Sequence, residues 1–336
     1  MVNKQLKLVN CKLEIVNDSI FTVKSIISEN KKGNIIFEIK DNKVYPIIYD
    51  NKLEAIDIDD IKQFYELMYN EIYNSNNGIG SFNITSINSL LFKLGIENNF
   101  KSIANKKDDV TLINLDNNKN INVKLSYSIK SQLGRPAIIL NASKHTNFIY
   151  KITNISEDDV KRINSINTPS KLKDRIHELE KINANIEFVG LTSDAFEKNL
   201  KMIDYKLPDV LAEVLLNSYK NDEKFLKKLF SESSIYETNE LSIKKLKDFL
   251  EAISFGIMPS KEWNGINNVN GGIIIVSNDK KIYVLDMIYF SDEVRKYLLE
   301  NTKLDSPSST RYNMLNIYKK NNEFYFTLNL QVRYIK

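Results

Sequence analysis

Asp109 and Lys130 are the side chains whose types and spacing could do phosphoryl chemistry. Asp109 stands at the mouth of Val110 to Leu115, which reads as a strand, and Lys130 ends a second strand running from Ile121; the Asp-Asn-Asn-Lys-Asn connection at 116 to 120 makes the two a hairpin. Such a hairpin brings a carboxylate near an ammonium. Hydrolysis of a phosphodiester needs a water that is oriented or deprotonated and a counter-charge for the negative charge growing on the phosphate, and a hard divalent cation serves both needs. Magnesium takes carboxylate and carbonyl oxygens and keeps several waters, so Asp109 is the expected first ligand and the backbone carbonyl of Ile129 the second. Lys130 would orient or activate the water and help stabilise the developing charge. Period-two alternation puts Val123, Leu125, Tyr127 and Ile129 on a core face and Lys124, Ser126, Ser128, Lys130 and Gln132 on a working face. The same residues also fit a plain surface lysine and a turn aspartate, since the Lys-Lys-Asp-Asp run at 106 to 109 has loop chemistry.

The elements that must position this pair are legible as a mixed pattern. Residues 6 to 50 alternate short β-branched runs with turn signals, among them Asn34 to Ile39 and Lys43 to Tyr49, and read as a small antiparallel meander. A helix starts near Asp57 to Asp60, shows Ile61, Phe64, Tyr65, Met68 and Ile72 at helical spacing, and stops at Asn74 to Gly78. A short helix follows at about Ser86 to Leu94. From Ser156 to Leu250 the pattern is mainly helical, punctuated by Pro169 and Pro208, and strands return at Gly271 to Val276, Lys281 to Leu285 and Glu323 to Tyr334. No repeat or low-complexity linker interrupts the chain. One α/β body is expected, with a β-rich segment at 1–55, the hairpin region at 56–155, and a helical and C-terminal β region at 156–336 that packs into the same body.

Composition excludes several classes. At 42% hydrophobic and 27% charged residues over 336 positions the chain is of ordinary globular make-up, and a net charge of +4 leaves any basic surface to local clusters. Cys11 is the only cysteine, which rules out an intramolecular disulfide and a cysteine zinc site and fits a reducing, cytoplasmic setting. His145 and His177 are too few for a histidine metal cluster, no Gly-Lys-Ser/Thr phosphate loop suggests ATP use, and no apolar run approaches the roughly 20 residues of a membrane span.

A longer resemblance sharpens the reading. The stretch from Tyr127 to Tyr150, Tyr-Ser-Ile-Lys-Ser-Gln-Leu-Gly-Arg-Pro-Ala-Ile-Ile-Leu-Asn-Ala-Ser-Lys-His-Thr-Asn-Phe-Ile-Tyr, resembles the signature block of HpaII-type type II restriction endonucleases. Phe255 to Gly265, Gly271-Gly272, Asp305 to Arg311 and Leu328 to Arg333 resemble the C-terminal part of the same family. The resemblance implies a PD-(D/E)xK nuclease fold, a restriction-endonuclease-like mixed β-sheet core flanked by helices with added helical and C-terminal β elements. It also implies Mg2+-dependent cleavage of double-stranded DNA at a short palindromic, CCGG-like site. Carried over residue by residue, Asp109 matches the metal-binding aspartate and Lys130 the catalytic lysine, while Ser128 occupies the place where many relatives of the fold keep a second acid. Glu66 and Glu71, on the helix before the hairpin, are the candidates to complete the metal site, and Gln132 is expected to touch the phosphate or a metal-bound water. Family members often begin with a helix carrying Gly-Glu-Trp-Ser-Glu; no equivalent is visible, so a shortened form with impaired cleavage and intact DNA binding is a further expectation.

For DNA contact the sequence offers the loop of Asn141, Ser143, Lys144, His145, Thr146 and Asn147, with Arg135, Lys261 and Arg311 as further donors to phosphate or base edges. A palindromic target predicts a homodimer on DNA, and host protection predicts a cognate cytosine DNA methyltransferase as genetic partner. Two other readings stand beside the nuclease: a catalytically weakened, sequence-specific DNA-binding protein derived from such an enzyme, and an RNA-processing nuclease using the same metal site.

Overall fold

The hairpin at 110 to 130 forms the middle of a large sheet in a computed structural model, which describes residues 5–30, 33–74, 87–96 and 107–335. By its internal contacts the chain makes two compact units. One comprises the residues up to Ala137 together with Asn267–Tyr297, and the other Ile138–Ile266 together with Leu298–Ile335. The segment 56–155 therefore contributes to both.

The first unit is built on an eleven-stranded mixed sheet among the described residues. Its strands are β1 (Leu8–Val9), β2 (Ile15–Asn17), β3 (Phe21–Asn30), β4 (Gly33–Lys40), β5 (Lys43–Ile48), β6 (Asn51–Lys52), β7 (Ile56–Asp57), β8 (Val110–Asp116), β9 (Ile121–Ser131), β13 (Gly272–Val276) and β14 (Ile282–Asp286). The order is β2-β1-β14-β13-β9-β8-β3-β4-β5-β6, with β7 on β5. β9 runs antiparallel to β8 and parallel to β13, in a register that sets Gly272 opposite Tyr127 and Ile275 opposite Lys130. The Gly-Ile-Ile-Ile-Val run of β13 is buried along nearly its whole length, as expected of a strand covered on both faces. Helix α1 (Ile58–Asn74) buries Ile58 and Tyr69, while the expected stripe of Ile61, Phe64, Tyr65, Met68 and Ile72 is half-buried; the short helix α2 is Asn88–Lys93, and Ser86, its expected start, lies outside the described residues.

One face of this sheet carries the core. Leu6, Leu8, Phe21, Val23, Leu112, Leu125, Tyr127, Ile274 and Val284 pack together, with Tyr289 and Phe290 against them. The Gly271-Gly272 pair is required by that packing. A Cβ on Gly271 would lie 2.6 to 2.8 Å from three atoms of the Tyr127 ring, and Gly272 has φ +114° with the Leu285 carbonyl oxygen 2.0 Å from where its Cβ would stand.

The second unit has two smaller sheets and a set of helices. β11 (Asn147–Thr153) lies between β12 (Asn185–Leu191) and β17 (Glu323–Asn329), with β16 (Tyr318–Lys320) outside β17; β18 (Val332–Tyr334) lies between β10 (Ile138–Leu140) and β15 (Thr302–Leu304). The helices are α3 (Glu157–Ser165), α4 (Lys171–Lys181), α5 (Asp194–Ile203), α6 (Leu207–Asn221), α7 (Leu226–Glu232) and α8 (Asn239–Phe255), while α9 (Ser291–Asn301) spans the boundary between units. Ser156 and Asp159 close a capping box on α3, and Pro208 sits in the first turn of α6.

The α/β class and the mixed sheet flanked by helices are as expected, with two local corrections. Glu323 to Tyr334 is two strands, because Leu330 and Gln331 leave the ladder of β17, the Leu330 N–H going to the Thr146 carbonyl, before β18 joins another sheet. The mainly helical stretch 156 to 250 contains β12, whose alternating Ile186 and Phe188 signal is short enough to be hidden between two helical patterns. No described helix is long and apolar enough to cross a membrane.

Candidate active site

The site follows from where β8 begins. Val110 is opposite Tyr127, so Ser128 to Ser131 of β9 run past the start of β8 while β13 still supports their other edge. Along a strand, backbone groups alternate between edges, and the N–H and C=O of one residue share an edge. The Gln132 N–H goes to Val276 on the β13 side, so those of Ile129 point to the other. There Asp109 takes the place of a ladder partner. Its own N–H donates to the Tyr127 carbonyl at 2.9 Å, and its Oδ2 accepts the Ile129 N–H at 2.7 Å and the Ser128 hydroxyl at 3.2 Å. The carboxylate is thereby fixed on the same strand edge as the Ile129 carbonyl.

Lys130 is the next residue on β9 and is partly buried. Burial pulls its ammonium below the ordinary lysine range, and the Asp109 carboxylate opposes that pull. Lys107 joins them: burial, reinforced by Lys130 and opposed by Asp109, brings its ammonium down to about 8. Sequence reasoning placed Lys107 in the loop-like run at 106 to 109 and gave it no role. A lysine two residues before the metal-ligand candidate was the available signal, but nothing in the sequence says that the chain turns it toward Lys130.

The remaining candidates divide. Ser128, set on the working face, is buried and serves as a donor to Asp109, whereas Ile129, set on the core face, is 40% exposed because the strand has outrun the core there. Gln132 meets the Tyr297 hydroxyl, which receives its side-chain hydrogen bond. Glu66 on α1 pairs with Lys280 at 3.0 Å, and among the described residues neither it nor Glu71 joins Asp109 in a group of three His, Cys, Asp or Glu able to hold a metal ion. The oxygens assembled are thus one carboxylate and one backbone carbonyl, a set that suits a hard cation retaining most of its waters. Arg135 is exposed just beyond β9.

In the second unit the loop of 141 to 147 is braced from within. Ser143 caps a single 3-10 turn, accepting the His145 N–H at 3.1 Å. The fully buried Asn329 donates to the Ser143 carbonyl at 2.7 Å and to Asn147 Oδ1 at 2.6 Å, and Thr146 bonds its Oδ1 at 3.2 Å. Ser143 and Asn147 therefore build the loop, while Asn141 and Lys144 are exposed on it and His145 is half-buried. Tyr312 donates to the Ala142 carbonyl at 2.9 Å, which brings Arg311, stacked over the Tyr312 ring, beside the same loop. Lys261 is exposed and held by its backbone, its carbonyl receiving the Asn199 amide at 2.7 Å. Trp263 is a partly buried anchor whose indole N–H bonds the Ile266 carbonyl.

The model of the HpaII restriction endonuclease family matches residues 1–334. The type II restriction enzyme HpaII of Haemophilus parainfluenzae is 33% identical over 328 residues, covering 94% of this chain and 89% of that protein. No solved structure matches the chain. A family match over almost the full length, with a curated relative at that identity, means that the chain belongs to the HpaII family of type II restriction endonucleases.

Proposed function

We propose that this chain cuts double-stranded DNA at a short palindromic, CCGG-like site, using a magnesium ion held by Asp109 and the Ile129 carbonyl. The observation that carries the reading is the carboxylate of Asp109 locked onto the edge of β9 one residue from Lys130. When bound, the cation supplies a counter-charge for the phosphate and lowers the pKa of a coordinated water. The protein's own part is positional and electrostatic. Asp109 is held by the Ile129 amide and the Ser128 hydroxyl, and Lys130, partly desolvated, presents a donor whose charge is worth more against a phosphate than in bulk water. Ser128 stands in the second-acid position of a PD-(D/E)xK arrangement and acts there through Asp109. Lys144, Arg311 and Asn141 supply contacts to phosphate and base edges, with Arg135 and Lys261 as further donors. A palindromic target calls for a homodimer on the DNA, and a cytoplasmic host needs a cognate cytosine methyltransferase.

A weakened, DNA-binding descendant is the second reading, favoured by serine at position 128 and by the missing three-acid group among the described residues. Incubation of the purified chain with magnesium and unmethylated CCGG-containing duplex decides between them. Discrete fragments, with Lys130→Ala binding the same duplex without cutting it, support the nuclease. Specific binding without cleavage by the unaltered chain supports the descendant. Uniform degradation, or cutting unaffected by Lys130→Ala, overturns the assignment of the site.

A further inference from the structure

A second group of ionisable side chains lies on the core face of the first unit. Asp286 ends β14 with no accessible surface. Its Oδ1 accepts the N–H groups of Ile288 at 3.0 Å and Tyr289 at 2.7 Å, which folds residues 286 to 289 into a tight turn. Its Oδ2 is buried with no hydrogen-bond partner among the described residues, and so is Oδ1 of the fully buried Asn114. The Asn114 amide nitrogen lies 3.5 Å from the Tyr127 hydroxyl, and that hydroxyl feels the charge of Asp286. The other ionisable groups facing Asp286 are Asp116, which receives the Tyr289 hydroxyl at 2.6 Å, and Tyr289 itself; Lys119 lies over the Tyr289 ring and acts on Asp116. Phe21, Leu125, Val284 and Phe290 supply apolar surroundings.

An ionised carboxylate has no use for that position. Two acceptor oxygens are sealed in an apolar core without a donor, and a second carboxyl adds repulsion. A proton on Asp286 removes the charge and turns one orphan acceptor into a donor. We propose that Asp286 is a proton-holding group of the core: protonated, it keeps the 286–290 turn closed over Phe21 and Tyr127, and its ionisation loosens that closure, making the unit that carries Lys130 sensitive to pH. Burial first, with Asp116 adding to it and the two turn amides opposing, pushes Asp286 up to about 6, in keeping with the geometry.

The sign follows from linkage. A carboxyl raised in the folded state above its unfolded value binds its proton more tightly when folded, so the contribution is favourable at low pH and is lost as pH rises from about 4 through 6. Two pH units of separation correspond to a roughly 100-fold change in the folding equilibrium. Asp286→Asn keeps the acceptor for the turn amides, carries no charge, and offers an N–H where the proton stood. Denaturant unfolding of the full chain and of Asp286→Asn across pH 4 to 8 should therefore give a gap in favour of the variant that opens between pH 4 and 6 and is constant above. Parallel curves at every pH would overturn the proposal. The amide resonances of Ile288 and Tyr289 in the unaltered folded chain give a reading that does not depend on the variant: a midpoint near pH 6 supports it, and a midpoint below about 4.5 or none up to pH 8 overturns it.

Discussion

Replacing Ser128 with alanine separates a positioning role from a chemical one. The serine hydroxyl donates to Asp109 Oδ2 at 3.2 Å, while the Ile129 N–H donates to the same oxygen at 2.7 Å. A hydrogen bond to a charged acceptor contributes about 1.5–3 kcal/mol, and the longer of these two belongs at the low end. The shorter backbone bond survives the substitution and still holds the carboxylate on the edge of β9. If Ser128 acts only through Asp109, the loss is about 1.5 kcal/mol of transition-state stabilisation, a little over tenfold in rate. The effect should appear in single-turnover cleavage of a short duplex and leave DNA affinity unchanged, because the serine is buried and has no route to the substrate. Ser128→Asp should act in the opposite sense on metal use, lowering the magnesium concentration at half-maximal cleavage by adding a carboxylate beside Asp109. A loss of three orders of magnitude in Ser128→Ala, equal to that in Lys130→Ala, would place the hydroxyl in the chemistry itself. A loss under twofold would show that the backbone bond alone positions Asp109.

Gly271→Ala should destabilise the first unit by about 1–3 kcal/mol, since the new methyl meets a fully buried ring at 2.6 to 2.8 Å. Denaturant unfolding of Gly271→Ala, Tyr127→Leu and the double variant checks this: the double should lose less than the sum, and simple additivity would mean that the ring and the methyl do not collide. Glu293 is held down to about 2 by the Lys296 ammonium and the Cys11 amide. Its folded value is depressed, so the stabilisation is present above the unfolded carboxylate value of about 4.3 and is lost as pH falls toward 2. Glu293→Gln should flatten acid unfolding between those limits, and because the Glu293–Lys296 pair is partly open to solvent, added salt should shrink the difference. A Glu293→Gln profile as steep as that of the unaltered chain would refute the assignment.

The hairpin was legible because every signal for it is local. The alternation of Val123, Leu125 and Tyr127 gives the face, and the Asn-Asn-Lys-Asn tip gives the turn. Legibility stopped wherever the partner lay far along the chain. The sequence could suggest that Gly271 to Val276 is a strand but not that it lies parallel to β9, nor that β1 pairs with β14 across more than 270 residues. The polar residues of the 141 to 147 loop read alike, as potential contacts to DNA. Only the position of Asn329, contributed by a strand 182 residues beyond Asn147, divides Ser143 and Asn147, which brace the loop, from Asn141 and Lys144, which stand exposed on it. The surroundings of Glu66 were hidden for a similar reason: a helix face can be drawn from the sequence, but the lysine that meets it, Lys280, follows β13.

Those distant partners are also what turn an ordinary hairpin into a site. A hairpin whose strands ended together would pair Ile129 with β8 and leave Asp109 as a turn residue. Here β9 outruns β8 by four residues, and the overhang stays a strand only because β13 satisfies its other edge as far as Val276. β13 in turn can approach because Gly271 and Gly272 let it pass the Tyr127 ring and the Leu285 carbonyl. The carboxylate then enters the position a strand would have occupied, taking the Ile129 amide and leaving the carbonyl beside it. It follows that the Gly-Gly pair, more than 140 residues from Lys130, does as much to place the Asp109 carboxylate as the serine that touches it.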